Sequence, residues 1–127
     1  MTCQILLVDD DPALLEALSD TVRLRMDATV DTCHESPDAL DLISSTDYDA
    51  IVTDIRMPHM DGLTLISKAR AIRPMTPTIL ITAHGDRDLA LQALHSGAYA
   101  FIEKPIDRDS FIVSLQKAVQ VRRVKRT

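Results

Sequence analysis

Ile5-Leu6-Leu7-Val8-Asp9-Asp10-Asp11 opens the chain with an apolar run that stops abruptly in three carboxylates. Two later stretches repeat the design: Ala50-Ile51-Val52-Thr53 runs into Asp54, and Ala100-Phe101-Ile102-Glu103 runs into Lys104-Pro105. Short apolar runs bounded by charged or turn-forming residues are the pattern of strands buried on both faces of a sheet. If the three are neighbouring parallel strands, Asp9, Asp10, Asp54 and Lys104 converge at one edge. Open parallel sheets bind their ligands there, outside the carboxyl ends of the strands.

Between these runs the hydrophobic period lengthens to that of a helix. Pro12 suits a first helical turn with Asp11 as cap, and Leu14, Leu15, Leu18, Val22 and Leu24 supply an inner stripe. Residues 29–33 alternate and are rich in β-branched side chains, which predicts a more exposed strand. Ser36-Pro37 opens a short helix carrying Ala39, Leu40 and Ile43. Leu63, Ile66, Ala69 and Ile72 line a helix that starts near Asp61-Gly62 and ends before Pro74. Residues 78–82 form a fourth strand, and Leu89, Ala90, Ala93 and Leu94 mark a helix closed by Gly97. After the fifth strand, Asp107 caps a last helix with Phe111, Leu115, Ala118 and Val119 facing inward. Five strands alternating with five helices predict an α/β domain: a five-stranded parallel sheet with helices on both faces.

Size and composition agree. A chain of 127 residues and 14.1 kDa is one domain by length, spanning residues 1–127. The expected end of the last helix and a basic tail, Arg122-Arg123-Val124-Lys125-Arg126, occupy residues 119–127. That tail reads as cations opposing a helix dipole, or as the start of a connection to an output domain in a longer protein. A net charge of −5 argues against direct nucleic-acid binding by the domain. Cys3 and Cys33 lack metal-ligand spacing and are expected as buried free thiols in a reducing compartment. No apolar run approaches the roughly 20 residues that cross a bilayer. The beginning of the chain turns acidic too early for a signal peptide, so no membrane role is expected and the predicted address is cytoplasmic.

Two carboxylates about 4 Å apart repel by about 4 kcal/mol at an effective dielectric of 20. Gathering Asp9, Asp10 and Asp54 therefore demands a compensating cation or a raised pKa. Lys104 and a divalent ion would each serve, and oxygen ligands with retained waters suit Mg²⁺. An aspartate in such a pocket can act as nucleophile toward a phosphoryl group. Taken singly, the Asp run is a helix cap, Asp54 a turn residue and Lys104 a solvated side chain; it is their conjunction at strand ends that points to a site.

The chain resembles the receiver domain of bacterial two-component response regulators along essentially its whole length. The likeness rests on residues 5–11, on Asp54-Ile55-Arg56-Met57-Pro58-His59-Met60-Asp61-Gly62, on Ile81-Thr82-Ala83-His84, and on Gly97-Ala98-Tyr99-Ala100-Phe101-Ile102-Glu103-Lys104-Pro105. The local wording is most similar to regulators of the nitrogen-regulation and dicarboxylate-transport type. The resemblance implies a flavodoxin-like fold with strand order 2-1-3-4-5. It implies that Asp54 accepts a phosphoryl group from a sensor histidine kinase. Asp10 and Asp54 would bind Mg²⁺ directly, Asp9 mostly through water, with the backbone carbonyl of Arg56 completing the protein ligands. Lys104 would pair with the phosphoryl oxygens, and Thr82 would donate its hydroxyl. Phe101 would be the aromatic switch residue, altering the surface of the fourth helix, fifth strand and fifth helix toward an output domain or a homodimer partner.

His59 stands where many relatives carry Gly. Arg56 and His84 occupy the positions two residues beyond Asp54 and Thr82, where the family tunes the lifetime of the phosphoryl group. Three other readings compete with this one. An aspartyl-phosphate phosphatase would use Asp9 and Asp11 but would need a substrate cap for which no room remains. A flavin module would need a Ser/Thr/Gly-rich cradle after Val8 that is missing. A receiver working as an unphosphorylated platform would have no need of Asp10, Asp54, Thr82 and Lys104 together. A self-phosphorylating signalling domain, not a metabolic enzyme, is the expectation.

Overall fold

The computed structural model describes residues 2–126. Five strands, β1 (Cys3–Val8), β2 (Ala28–Cys33), β3 (Ala50–Asp54), β4 (Thr78–Thr82) and β5 (Ala100–Glu103), alternate with five helices. The helices are α1 (Pro12–Arg25), α2 (Ser36–Ser45), α3 (Gly62–Ile72), α4 (Arg87–His95) and α5 (Arg108–Arg126). All neighbouring strands pair in parallel, in the order β2-β1-β3-β4-β5. This is the expected flavodoxin-like arrangement, and its order reverses between β1 and β3.

The strand sequences explain their places. Every residue of β3 and β4 is buried, as near-continuous apolar strands in the middle of a doubly covered sheet must be. The edge strand β2 buries only Val30 and Cys33. Alternate side chains feed opposite faces. Ile5, Leu7, Val52, Ile79 and Ile81 pack with Leu15, Leu18 and Val22 of α1 and Phe111, Leu115 and Ala118 of α5. On the other face Leu6, Val8 and Ile51 meet Ala39, Ile43, Leu65 and Ala69 of α2 and α3. Leu80 and Phe101 join Ile55, Ile66, Ala93 and Ala98 in a smaller cluster under α4. Helix α1 begins as expected, with Pro12 in its first turn and the Asp11 carboxylate accepting the N–H of Ala13 at 3.0 Å. Cys3 and Cys33 are buried free thiols.

Three expectations are corrected. Leu24 is 85% exposed, not part of the inner stripe of α1. At 100° per residue it lies 200° around the helix from buried Val22, which turns it outward. Ile72 is exposed in the final turn of α3, and Leu65 takes the buried place on that helix. The third correction concerns the basic tail. Arg122 is only 5% exposed. Its guanidinium donates to the Tyr48 carbonyl at 2.8 Å, to the Thr76 hydroxyl at 2.7 Å, and to both Asp47 oxygens at 2.7 and 2.8 Å. The residue therefore bolts α5 to the loops that enter β3 and β4, at the end of the sheet opposite the acidic edge. Of the remaining tail, the side chains of Lys125 and Arg126, and Thr127, lie outside the described residues.

Charge-assisted hydrogen bonds contribute roughly 1.5–3 kcal/mol each when intact, so Arg122→Ala should lower unfolding stability by about 2–3 kcal/mol. Asp109→Ala, which breaks the solvent-exposed Arg25–Asp109 pair, should barely move the urea midpoint. Equal midpoints for the two variants would show that the Arg122 anchor contributes nothing beyond a surface pair.

Candidate functional site

Strand register builds the site. Val8 of β1 lies beside Thr53 of β3, so Asp9 and Asp54 leave the sheet at the same level. Asp54 pairs with Ile81, and Thr82 with Glu103, which steps Thr82 and then Lys104 along the same edge. Main-chain hydrogen bonds hold the exits: the Asp9 N–H donates to the Cys33 carbonyl at 3.1 Å, and the Lys104 N–H to the Thr82 carbonyl at 2.8 Å. The pocket sits where the strand order reverses, the expected binding crevice of an open parallel sheet.

Asp9, Asp10 and Asp54 each offer a carboxylate oxygen, and these atoms lie within 4.8 Å of one another. Asp9 and Asp54 are buried, whereas Asp10 is exposed. The Lys104 ammonium donates to Asp54 Oδ2 at 3.0 Å, and the Arg56 N–H to Asp54 Oδ1 at 3.3 Å. Asp9 Oδ1 accepts the Asp11 N–H at 2.9 Å. Asp9 Oδ2 and the Thr82 hydroxyl are buried without a hydrogen-bond partner. Buried polar atoms are nearly always satisfied, and two of the unpartnered side-chain atoms among the described residues lie at this edge. Three clustered carboxylate oxygens fit a hard cation of the Mg²⁺ kind.

Electrostatics record the crowding. Burial pushes the Asp9 carboxyl up to about 7; the Asp11 N–H opposes that rise, the charge of Asp54 adds to it, and Lys104 offsets part of it. Burial works against the Lys104 ammonium, yet its hydrogen bond to Asp54 and the charges of Asp54, Asp9 and Asp10 outweigh this and hold its pKa above the usual range.

The site residues read from sequence thus fall into a group and its surroundings. Asp9, Asp10, Asp54 and Lys104 share the pocket, and Thr82 ends the adjacent strand, fully buried. Phe101 is half-buried in the cluster of Leu80, Ile55 and Ala93, behind the pocket and not in it. Arg56 contributes its main chain at Asp54, but its side chain turns to Asp86. His84 stands 3.7 Å from Glu103, which also meets Arg87 at 3.4 Å.

Two supporting positions had no role assigned from the sequence, although Gly62 was read there as the start of its helix. Gly62 begins α3 against the chain leaving β3; a Cβ there would collide with the Asp54 carbonyl oxygen, so the helix can approach only on glycine. Asp86 lies in a single 3-10 turn over His84–Asp86 that the hydrophobic period could not signal. His59 takes a left-handed backbone with φ 71°, the conformation that a Gly at that position would adopt freely.

Comparison with known proteins assigns the class. Residues 5–116 match the response regulator receiver domain, and the chain belongs to that family. It is 42% identical over 124 residues to the C4-dicarboxylate transport transcriptional regulatory protein DctD of Pseudomonas aeruginosa, covering 95% of this chain and 26% of that protein. It is 34% identical over 112 residues to the DNA-binding transcriptional regulator NtrC of Escherichia coli K12, covering 88% and 24%. The structure of NtrX from Brucella abortus superposes with a TM-score of 0.92 at 28% identity, covering 99% of this chain and 29% of that one. The chain spans about a quarter of the length of the curated relatives it matches. It is a signal-transduction domain of the two-component type rather than a conventional enzyme.

The raised Asp9 carboxyl has a stability consequence. A carboxyl whose folded pKa exceeds its unfolded value stabilises the fold below the unfolded value, 3.8, and loses that contribution as pH rises through about 7. In chelator, Asp9→Asn keeps the acceptor for the Asp11 N–H and removes the buried charge. Its thermal midpoint should therefore rise relative to wild type as pH increases from about 5 to about 8. A gap between the two proteins that does not change with pH would contradict this.

Proposed function

We propose that this receiver takes a phosphoryl group from the phosphohistidine of a sensor histidine kinase onto Asp54. The observation that carries the reading is the Asp54 carboxylate itself. It is buried at a strand end, oriented by Lys104 and the Arg56 N–H, and set among two further acids. In the transfer, an Asp54 oxygen bonds to phosphorus as the phosphorus–nitrogen bond breaks, and the electron pair returns to the kinase imidazole. Asp54 thereby becomes an acyl phosphate. The Lys104 ammonium, already 3.0 Å from Asp54, would pair with a phosphoryl oxygen and offset the added charge. Mg²⁺, held by Asp10, Asp54 and the Arg56 carbonyl with Asp9 reached mostly through water, would neutralise charge on the transferring group. The domain thus catalyses its own phosphorylation and dephosphorylation.

The phosphoryl group adds between one and two negative charges and strong acceptor oxygens. Thr82, whose hydroxyl has no partner, is the donor able to move toward it. Withdrawing Thr82 would open space for Phe101, one strand away, and so alter the α4-β5-α5 surface. A shift from 1:99 to 99:1 needs about 5.5 kcal/mol of differential interaction. Two or three charge-assisted hydrogen bonds at roughly 1.5–3 kcal/mol each cover that.

The output is transcriptional in this reading, because the similar full-length relatives are named as transcriptional regulators. Residues 1–127 are then the receiver of a longer protein or of a homodimer, with residues 119–127 leading toward the output domain. The acidic net charge leaves DNA contact to that output. Among the described residues no helix is long and apolar enough to cross a membrane, and a cytoplasmic address suits a partner of a kinase's phosphohistidine.

Acetyl phosphate with Mg²⁺ should add one phosphoryl group to the wild-type chain by intact mass, and Asp54→Asn should remain unlabelled. Labelling of the variant to the wild-type extent would remove Asp54 from the mechanism. Beryllium fluoride with Mg²⁺, as a phosphoryl mimic, should shift the amide resonances of Thr82, Phe101 and α4. Shifts confined to residues 9–11 and 54–56 would rule out the proposed switch.

A further inference from the structure

Ser36 is the first residue of α2 and is fully buried, although serine is by nature a surface residue. A buried hydroxyl needs a partner. This one reaches past its own helix: Ser36 Oγ donates to the Met60 carbonyl at 2.6 Å and lies 3.8 Å from the Met57 sulfur. Both acceptors belong to the loop of residues 55–61 that joins Asp54 to α3. That loop is tied to itself by the Gly62 N–H on the Ile55 carbonyl and the Met60 N–H on the Pro58 carbonyl, each at 2.8 Å. It also carries Arg56, whose N–H is on the Asp54 carboxylate. The hold on Met60 is therefore passed to Asp54 and to the Arg56 main chain through a short, internally bonded segment.

The same stretch of chain holds the other side of the acid cluster. The carbonyl of Cys33, three residues before Ser36, accepts the Asp9 N–H at 3.1 Å, and the Cys33 thiol donates to the Glu35 carbonyl at 3.0 Å. Residues 33–36 thus touch both arms of the cluster. Cys33 meets the arm that carries Asp9, and Ser36 meets the loop beyond Asp54. Without a cation, the carboxylates at the ends of β1 and β3 repel and push these arms apart. A brace fixed to both arms opposes that opening.

We propose that Ser36 is a positioning residue for the metal pocket: through the Met60 carbonyl it holds the loop bearing Asp54 and Arg56 close to Asp9 and Asp10. The inference rests on the reading of the acid cluster as the Mg²⁺ site of a phosphoacceptor. Ser36 itself binds neither the ion nor the phosphoryl group. Its hydrogen bond acts on the ligands, because a loop already held in the binding geometry has less freedom to lose when the cation arrives. Affinity for Mg²⁺ falls when the bond is cut, while the transfer at a filled site is left as it was. The linkage runs both ways: Mg²⁺ binding strengthens the hold of this loop on α2 and so ties the first turn of that helix to the state of the pocket.

Wild type, Ser36→Ala and Ser44→Ala are titrated with Mg²⁺ in the absence of phosphodonor, following the amide resonances of residues 9–11 and 54–56. Ser36→Ala should bind Mg²⁺ roughly three- to tenfold more weakly, the equilibrium equivalent of one hydrogen bond. Ser44→Ala removes an exposed hydroxyl near the other end of α2, where it donates to the Leu40 carbonyl, and should match wild type. With acetyl phosphate added, the Mg²⁺ concentration giving half the maximal labelling rate should rise in Ser36→Ala by the same factor. The rate at saturating Mg²⁺ should stay at the wild-type value. A role confined to folding would lower the unfolding midpoint and move neither quantity. Equal Mg²⁺ affinity in wild type and Ser36→Ala, or a loss that Ser44→Ala reproduces, would overturn the role of Ser36 alone. An absence of Mg²⁺ shifts in wild type would overturn the metal site and Ser36 with it. Mg²⁺ shifts without labelling of wild type would overturn the phosphoacceptor alone.

Discussion

Three carboxylates held within 4.8 Å of one another, against one ammonium, form the constraint on which this molecule depends. A parallel sheet whose order reverses between β1 and β3 brings two strand ends together, and the chain places an acid at each. The repulsion is answered in part by Lys104 from β5 and in part by Asp9 holding its proton near neutrality. The remainder is an uncompensated negative potential at the sheet's edge. Asp9 Oδ2 and the Thr82 hydroxyl, both buried, have no hydrogen-bond partner among the described residues at this same edge.

The two ends of the sheet handle charge in opposite ways. At the acidic end, charges are gathered and left incompletely compensated. At the far end, Arg122 is buried against Asp47, Tyr48 and Thr76 with its terminal nitrogens fully used. The acidic cluster and the Arg122 anchor thereby lie at opposite ends of the strands.

Much of this was legible in the residues. Strands read clearly because buried parallel strands are short apolar blocks, and helices because their stripes repeat at the helical period. The pocket read clearly because unlike charges stood at the ends of three blocks. Three features escaped. Leu24 is apolar and close in sequence to Val22, and only its angle around α1 turns it outward. Arg122 sits in a run of cations that looks solvated, and its counter-charge lies 75 residues earlier in the chain. Asp86 is one acid in a polar turn, meaningful only once Arg56 is seen to face it. For Arg122 and Asp86 the deciding partner is distant in sequence, and periodicity is blind to distance; for Leu24 the helical angle itself decides.

Helix α4 is the least well rooted of the helices over the sheet. Its fully buried side chains are Ala90 and Ala93, with Leu89 and Leu94 half-buried, and the side chain of its N-terminal residue Asp86 caps none of its free N–H groups. Helix α5, by contrast, sinks Phe111, Ile112, Leu115, Ala118 and Val119. Apolar burial contributes in proportion to area, and a methyl group offers little of it. Tilting or fraying α4 would therefore take the smallest outlay of any rearrangement over this sheet, and thermal agitation alone should visit such tilted forms most often there.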